Sequence, residues 1–227
     1  MSVLLLRLAG PMQSWGTRSR YTTRDTDLEP SKSGVIGLVC AALGRKRSDP
    51  IDDLSQLRMG VRADREGVMA SDYHTAENVI TADSSKRRTV VSTRYYLSDA
   101  DFLVGLEGEL TLLEQIDRAL ANPVWPLYLG RKSFVPGCPV RLPDGLQPDQ
   151  DMETALHTYP LTLRRGEHRH EPSLRLEIEV PYGQGDRIKQ DNITSFQQRN
   201  FELRYMKTSW VDISMLVVRE EQCYVSI

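Results

Sequence analysis

Several features that would identify a common class of protein are missing from this sequence. The three cysteines, Cys40, Cys138 and Cys223, lie far apart and form no CxxC pair, which argues against a disulfide framework and a structural zinc site. HExxH, GxSxG and paired-carboxylate motifs are absent. The sequence therefore indicates neither a metal centre nor an activated nucleophile, and it predicts no cofactor.

Long apolar runs are missing as well. The N-terminal MSVLLLRLAG has only about six apolar residues before Arg7 and no basic residue ahead of them, unlike a signal peptide. GVIGLVCAALG is about half as long as a segment that crosses a bilayer. We therefore expect no membrane association and a reducing, cytoplasmic location.

The charge balance gives little sign of a nucleic-acid partner. The chain has 29 Lys and Arg against 31 Asp and Glu, and its net charge is -2. Residues 1–50 differ, because they contain eight basic and four acidic side chains. An anionic partner is therefore expected to meet the N-terminal part of the chain.

Hydrophobic patterning predicts an α+β fold. A buried strand is expected over Val3–Leu8 and a helix over 34–43, followed by strands near 57–63 and 68–75 and around residues 90–108. A second helix is expected over Leu110–Leu120 and a strand over Cys138–Leu142. The order β, α, β, β, α, β is typical of a ferredoxin-like (RRM-like) fold, an antiparallel sheet with two helices on one face.

The C-terminal part differs in composition. LPDGLQPDQD, beginning at Leu142, is rich in turn residues, and SLRLEIEV over 173–180 alternates like a strand. We therefore expect two parts, a ferredoxin-like domain over residues 1–143 and a smaller β-rich subdomain over 144–227.

The most informative short segment is YLGRKS, residues 128–133. Its spacing does not fit a phosphate-binding Walker A loop, because Gly130 precedes Arg131 rather than Lys132 and position 126 is proline. A glycine turn beside two cations and Ser133 suits the phosphates of a polymer lying across it. The alternative is a solvated basic turn, and the segment alone leaves both open.

Two further segments combine features that suit RNA. In 10–21, Met12, Gln13, Ser14 and Trp15 precede Arg18, and aromatic rings beside cations can bind single-stranded RNA, although Trp15 is equally compatible with a core position. Lys32 and Ser33 stand at a helix start, which favours an anion, but a simple helix cap is the plainer interpretation.

The segments together resemble a known family. The resemblance extends in order over residues 2–137 and is carried by LRLAGPMQSWG, PSKSGVIGLVCAALG, SDYHTA, TRYYLSDADFLVGLEG and PLYLGRKSFVPG. These are similar to the Cas-five subunits of type I-E Cascade, a CRISPR surveillance complex. Beyond residue 137 the best remaining similarity is SFQQRNFELRYM.

The resemblance implies a ferredoxin-like domain with a protruding β-hairpin thumb. It implies that the protein caps one end of Cascade, binds the 5′ handle of the CRISPR RNA, and contacts the adjacent backbone subunit and the large subunit. Carried onto this sequence, the thumb is about 76–94. The residues implied for the handle are Met12, Gln13, Ser14, Trp15, Arg18, Lys32, Ser33, Tyr128, Leu129, Gly130, Arg131, Lys132 and Ser133, and those of the thumb are Lys86, Arg87, Arg88 and Arg94.

The resemblance to type I-E subunits also implies a role without catalysis, because in type I-E systems a separate endoribonuclease cuts the precursor RNA. Related type I-C proteins cut it themselves with a Tyr, Lys and His set. His74, next to Tyr73, keeps open the alternative of a metal-independent endoribonuclease in which this histidine acts as the general base.

Overall fold

The chain forms a mixed fold in which strands predominate, so the α+β class is confirmed. The computed structural model describes residues 1–17, 22–81, 86–164, 167 and 171–220. The helices are α1 (Lys32–Leu43), α2 (Asp52–Ser55), α3 (Leu110–Ala121) and α4 (Met152–Thr158). The strands are β1 (Ser2–Ala9), β2 (Met12–Gln13), β3 (Thr23–Arg24), β4 (Arg58–Arg65), β5 (Val68–Ile80), β6 (Arg87–Ser98), β7 (Asp101–Gly108), β8 (Arg141–Gln147), β9 (Leu161–Leu163), β10 (Ser173–Val180), β11 (Arg187–Ser195), β12 (Asn200–Asp212) and β13 (Val218–Glu220).

Seven strands form one antiparallel sheet in the order β11-β12-β10-β4-β7-β1-β8. The C-terminal strands continue it beyond β4, where Ile178 of β10 pairs with Gly60. Strand β8 runs across position 143, where we placed the boundary between two parts. The division into two parts stays a prediction, and one sheet runs through both.

The first strand is buried on both faces because the sheet lies between two layers of helix. Leu4 and Leu6 belong to a core cluster that also contains apolar residues of α1 and α3. Val3 and Leu5 belong to a second cluster, which contains Met152 and Leu156 of α4. This two-sided burial explains why β1 is a nearly continuous apolar run instead of an alternating one.

The two long helices begin and end close to the predicted positions. The side chain of Ser31 caps α1 by accepting a hydrogen bond from the backbone N–H of Gly34, and Gly44, with φ 74°, ends the helix. In α3 the polar residue on the apolar face, Asp117, accepts two hydrogen bonds from Arg141, at 2.9 and 2.8 Å. This pairing allows a carboxylate to lie at the edge of the core.

Strands β5 and β6 form a long antiparallel hairpin, paired from Val68 with Ser98 to Ile80 with Arg87. It begins earlier and ends later than the expected 76–94, and most β5 side chains are exposed. Strands β2 and β3 also pair with β6, so the hairpin is joined to the loop that follows β1. Its tip, residues 82–85, lies outside the described residues.

Buried ion pairs hold the C-terminal strands against α1. Asp191 of β11 accepts hydrogen bonds from Arg204, at 2.5 and 2.9 Å, and from the backbone N–H of Lys32, at 2.9 Å. The ammonium of Lys32 lies 3.1 Å from both carboxylate oxygens of Glu179. Burial alone would raise the pKa of Asp191, but Arg204, the backbone N–H of Lys32 and Lys189 together outweigh burial and the pKa is lowered. These contacts fix β11 and β12 relative to the start of α1.

We expect Asp191→Ala to lower the free energy of unfolding by about 3–5 kcal/mol, because it leaves the guanidinium of Arg204 buried without its partner. Chemical denaturation measures this, with Arg219→Ala, at an exposed ion pair with Asp144, as a control that costs at most about 1 kcal/mol. Since the folded pKa of Asp191 is lowered from 3.8, its contribution is present at neutral pH and is lost as pH falls below that value. Equal losses in the two variants would contradict this account.

Candidate functional site

Two of the segments singled out in the sequence lie against each other. The backbone N–H of Ser14 donates to the carbonyl of Leu129 at 3.1 Å. The segment after Leu129 is a closed loop, in which the N–H of Leu129 donates to Phe134 O at 2.7 Å and the N–H of Phe134 donates to Arg131 O at 2.8 Å. The segments 12–15 and 128–133 therefore form one structural unit at the end of β1.

Gly130 allows this close approach. Its φ is 86°, and a Cβ added at this position would lie 1.7 Å from the carbonyl oxygen of Ser14. No other residue type fits such a position without moving the backbone. The turn therefore requires glycine, and it presents Arg131, Lys132 and Ser133 immediately after the point of contact.

The side chains of the first segment lie mostly inside the protein. Gln13 is fully buried, and its amide nitrogen donates to Leu8 O and Ala100 O, both at 2.8 Å. Its amide oxygen accepts from the indole nitrogen of Trp15 at 3.1 Å. Trp15 is 1% exposed, so its ring is part of the core.

The other residues of this segment are also largely covered. Ser14 is 6% exposed and Met12 is half-buried. In this conformation the segment therefore supports the Gly130 turn from beneath and presents little side-chain surface to a ligand. Arg18 lies outside the described residues.

The start of α1 already has an anion of its own. The carboxylate of Asp191 occupies the N-terminus through the backbone N–H of Lys32, and the cap residue is Ser31. Lys32 is 1% exposed, and burial lowers its pKa although Glu179 opposes this. Lys32 is therefore engaged within the protein, whereas the neighbouring Ser33 is half-buried and lines a surface cleft.

Three arginines converge beside the Gly130 turn. Arg24 of β3 and Arg94 of β6 are direct neighbours in a parallel strand pair. Burial, Arg94 and Arg24 together lower the pKa of Arg131, although Asp72 and Asp25 oppose them. The guanidinium of Arg131 donates to Tyr95 O at 2.8 Å and to Arg24 O at 3.3 Å. Like charges on neighbouring strands are unfavourable, so this cluster favours binding of an anion.

The side of the turn that carries Lys132 opens to a larger cleft. Lys132 and Ser133 are exposed, Tyr128 is half-buried, and Leu129 is buried beneath them. The cleft has a volume of about 740 Å³. Its lining combines apolar, aromatic and basic residues and consists of Gly37, Cys40, Ala41, Arg45, Lys46, Arg47, Trp125, Pro126, Leu127, Tyr128, Lys132, Val135 and Phe196.

A smaller cleft of about 300 Å³ lies on the side of Arg131. Ser33, Gly130, Arg24 and Arg131 contribute to its lining, and Phe196 lines both clefts. The sequence patterns did not single out Phe196, Arg24 or the 45–47 segment as parts of one site. Only the fold brings these residues to the Gly130 turn.

The predicted thumb cations divide into two groups. Lys86, Arg87 and Arg88 are exposed at the far end of the β5–β6 hairpin. Arg94, half-buried near its base, belongs instead to the arginine cluster beside Arg131. The hairpin therefore has one basic group at its end and contributes one cation to the turn.

His74 lies on β5, where it pairs with Ser92 of β6. It is half-buried, and Tyr73 beside it is 72% exposed. His168 and His170 lie outside the described residues.

Within the described ranges, no group of three or more His, Cys, Asp or Glu side chains is placed to hold a metal ion. Nor is any helix in these ranges long and apolar enough to span a membrane.

Comparison with known proteins gives consistent matches. A family model described as CRISPR-associated protein (Cas_Cas5) matches residues 3–208. The CRISPR system Cascade subunit CasD of Escherichia coli (strain K12) is 36% identical over 161 residues, which cover 63% of this chain and 69% of that protein.

Two solved structures are similar over nearly the whole chain. One, described as a crystal structure of a Cas protein, is 44% identical with a TM-score of 0.77, and the match covers 95% of this chain and 97% of the other. A chain of a CRISPR RNA-guided surveillance complex is 35% identical with a TM-score of 0.78, and that match covers 98% and 96%.

We expect Gly130→Ala to destabilise the protein more than Gly183→Ala. Both glycines have positive φ, 86° and 76°, but a Cβ at Gly183 would meet nothing within 4 Å. Gly183→Ala should therefore cost only the conformational penalty of about 1–2 kcal/mol. Gly130→Ala adds a backbone clash with Ser14, and chemical denaturation should show a clearly larger loss. Equal losses would mean that the turn does not depend on this close approach.

Proposed function

The chain belongs to the Cas-five family of CRISPR-associated proteins, and from this membership we propose that it is a non-catalytic, RNA-binding subunit of a type I-E Cascade complex. In this proposal it binds and caps the 5′ handle of the CRISPR RNA in antiviral defence. The support from relatives is that one is a Cascade subunit and another is a chain of an RNA-guided surveillance complex.

The observation that carries the proposal is the arginine cluster beside the Gly130 turn. Arg24, Arg94 and Arg131 lie together, with the exposed Lys132 next to them. A polyanion lying across the turn would relieve the repulsion among the arginines and would meet backbone N–H groups as well. The chain needs only a local positive site for this, which is compatible with its net charge of -2.

The arrangement of strands supports a ferredoxin-like framework for this site. Four strands of the sheet stand in the order β8-β1-β7-β4, the order of an antiparallel ferredoxin-like sheet, and the apolar faces of α1 and α3 share one core cluster with it. The loop after β1 and the segment before β8 meet where the N–H of Gly137 donates to Ala9 O at 2.8 Å. This framework would place both loops at the same end of the sheet.

In this proposal the β5–β6 hairpin is the thumb that contacts the adjacent backbone subunit. Two observations support this role. Tyr73 and Ile80 are 72% and 59% exposed, which gives the hairpin apolar surface that a protein partner could cover. Lys86, Arg87 and Arg88 stand at its far end. The large subunit of Cascade is the other protein partner that we propose, and a cytoplasmic location follows from these partners.

A role without catalysis is favoured over the endoribonuclease alternative. The support is the similarity to a Cascade subunit, together with the position of His74 on the hairpin, where no hydrogen bond joins its imidazole to another described residue. A general base needs a partner that orients it. Clean cleavage of repeat RNA by the purified protein in EDTA, lost in His74→Ala, would overturn this part of the proposal.

We expect Lys132→Ala to weaken binding of handle RNA and to reduce its salt dependence. Lys132 is exposed, and its replacement removes one phosphate contact, so the log–log salt slope should shrink by about 0.7. The measurement is RNA affinity across a salt series. Lys207→Ala removes an exposed cation on the α4 side of the sheet and serves as the control with an unchanged slope. An unchanged slope for Lys132→Ala would mean that Lys132 contacts no phosphate and that the turn is a solvated surface loop.

A further inference from the structure

The larger cleft has an apolar floor that belongs to α1. The lining residues of α1 are small, namely Gly37, Cys40 and Ala41, which leaves depth between the helix and the segment that contains Trp125. That segment is fixed along the helix, because the N–H of Trp125 donates to Ala41 O at 3.1 Å and the N–H of Val124 donates to Ala42 O at 3.0 Å. Backbone hydrogen bonds therefore join the floor of the cleft to one of its walls.

The opposite wall is formed by the C-terminal part of the chain. Phe196 lies in the turn between β11 and β12, and its ring lies against Gly37, where an added Cβ would be 3.6 Å from the ring. The ring is half-buried and faces both clefts. The strands on either side of this turn are fixed by Asp191 and Arg204 at the start of α1. The position of the ring is therefore set by buried contacts.

The rim of the cleft is strongly basic. Lys46, Arg47 and Lys132 are exposed there. Arg45, also at the rim, is paired with Asp53. An apolar interior between aromatic rings, with exposed cations at the mouth, fits a ligand that is flat and aromatic at one end and anionic at the other. The volume of about 740 Å³ is in the range of small-ligand sites.

We propose that this cleft holds one unpaired nucleobase of the bound RNA, stacked on Phe196, with the neighbouring phosphates on Lys132 and the 46–47 segment. The inference rests on the proposed RNA-binding function and adds to it a single-nucleotide pocket built jointly by α1, residues 125–128 and the C-terminal turn. Stacking on an aromatic ring tolerates any base, so the pocket selects an unstacked nucleotide by its position along the strand.

The test uses complexes reconstituted with handle RNA that carries 2-aminopurine at one position at a time. Stacking on an aromatic ring quenches this base, so one position should be quenched on binding in the unmodified protein. In Phe196→Leu the quenching at that position should be lost and the RNA affinity should fall by about 5- to 150-fold. Phe196→Tyr keeps an aromatic ring and should retain both.

The outcomes separate the pocket from the wider function. RNA that binds with no position-specific quenching, or with quenching that Phe196→Leu leaves intact, would overturn the pocket alone. A protein that binds no handle RNA under any condition would overturn the RNA-binding function and the pocket with it. Thermal unfolding of both Phe196 variants checks that each is folded, and Phe201→Ala, which alters only the smaller cleft, should leave the quenched position unchanged.

Discussion

The carboxylate of Asp191 is the contact on which the arrangement of the site depends. It is fully buried, and it joins Arg204 of β12 to the first turn of α1 through the N–H of Lys32. An isolated buried charge would be very costly, so these groups stabilise the fold only while they remain together. Because α1 forms the floor of the larger cleft and the β11–β12 turn forms one wall, this pairing sets the position of that wall relative to the floor.

A second constraint acts at the Gly130 turn, where the protein tolerates repulsion. Arg24, Arg94 and Arg131 stand close together. Asp72 and Asp25 each act on Arg131 less strongly than either neighbouring arginine, and burial adds to the lowering of the pKa of Arg131. Structures usually place opposite charges on neighbouring strands. An arrangement that costs stability in the free chain and favours a bound polyanion is what we expect of a binding surface.

Much of the framework was predictable from the sequence, because local patterns determine it. The apolar run of β1, the capped helix α1 and the amphipathic α3 are governed by periodicity and by Ser31 and Gly44, which are local signals. The burial of Lys32 was not predictable, because Glu179 and Asp191 lie 147 and 159 residues away. For the same reason Lys32 resembled a phosphate ligand in the sequence. Phe196 lies in the similar segment SFQQRNFELRYM, but nothing in the sequence assigned it to a site.

Ultraviolet cross-linking of the protein to its RNA in the assembled complex, followed by identification of the linked peptides, tests the central claim most directly. The account predicts cross-links from the 5′ handle to Tyr128 and to Phe196, two aromatic residues that lie far apart in the chain and line the same cleft. Cross-links confined to the α4 face of the sheet, near His157 and Lys207, would contradict it.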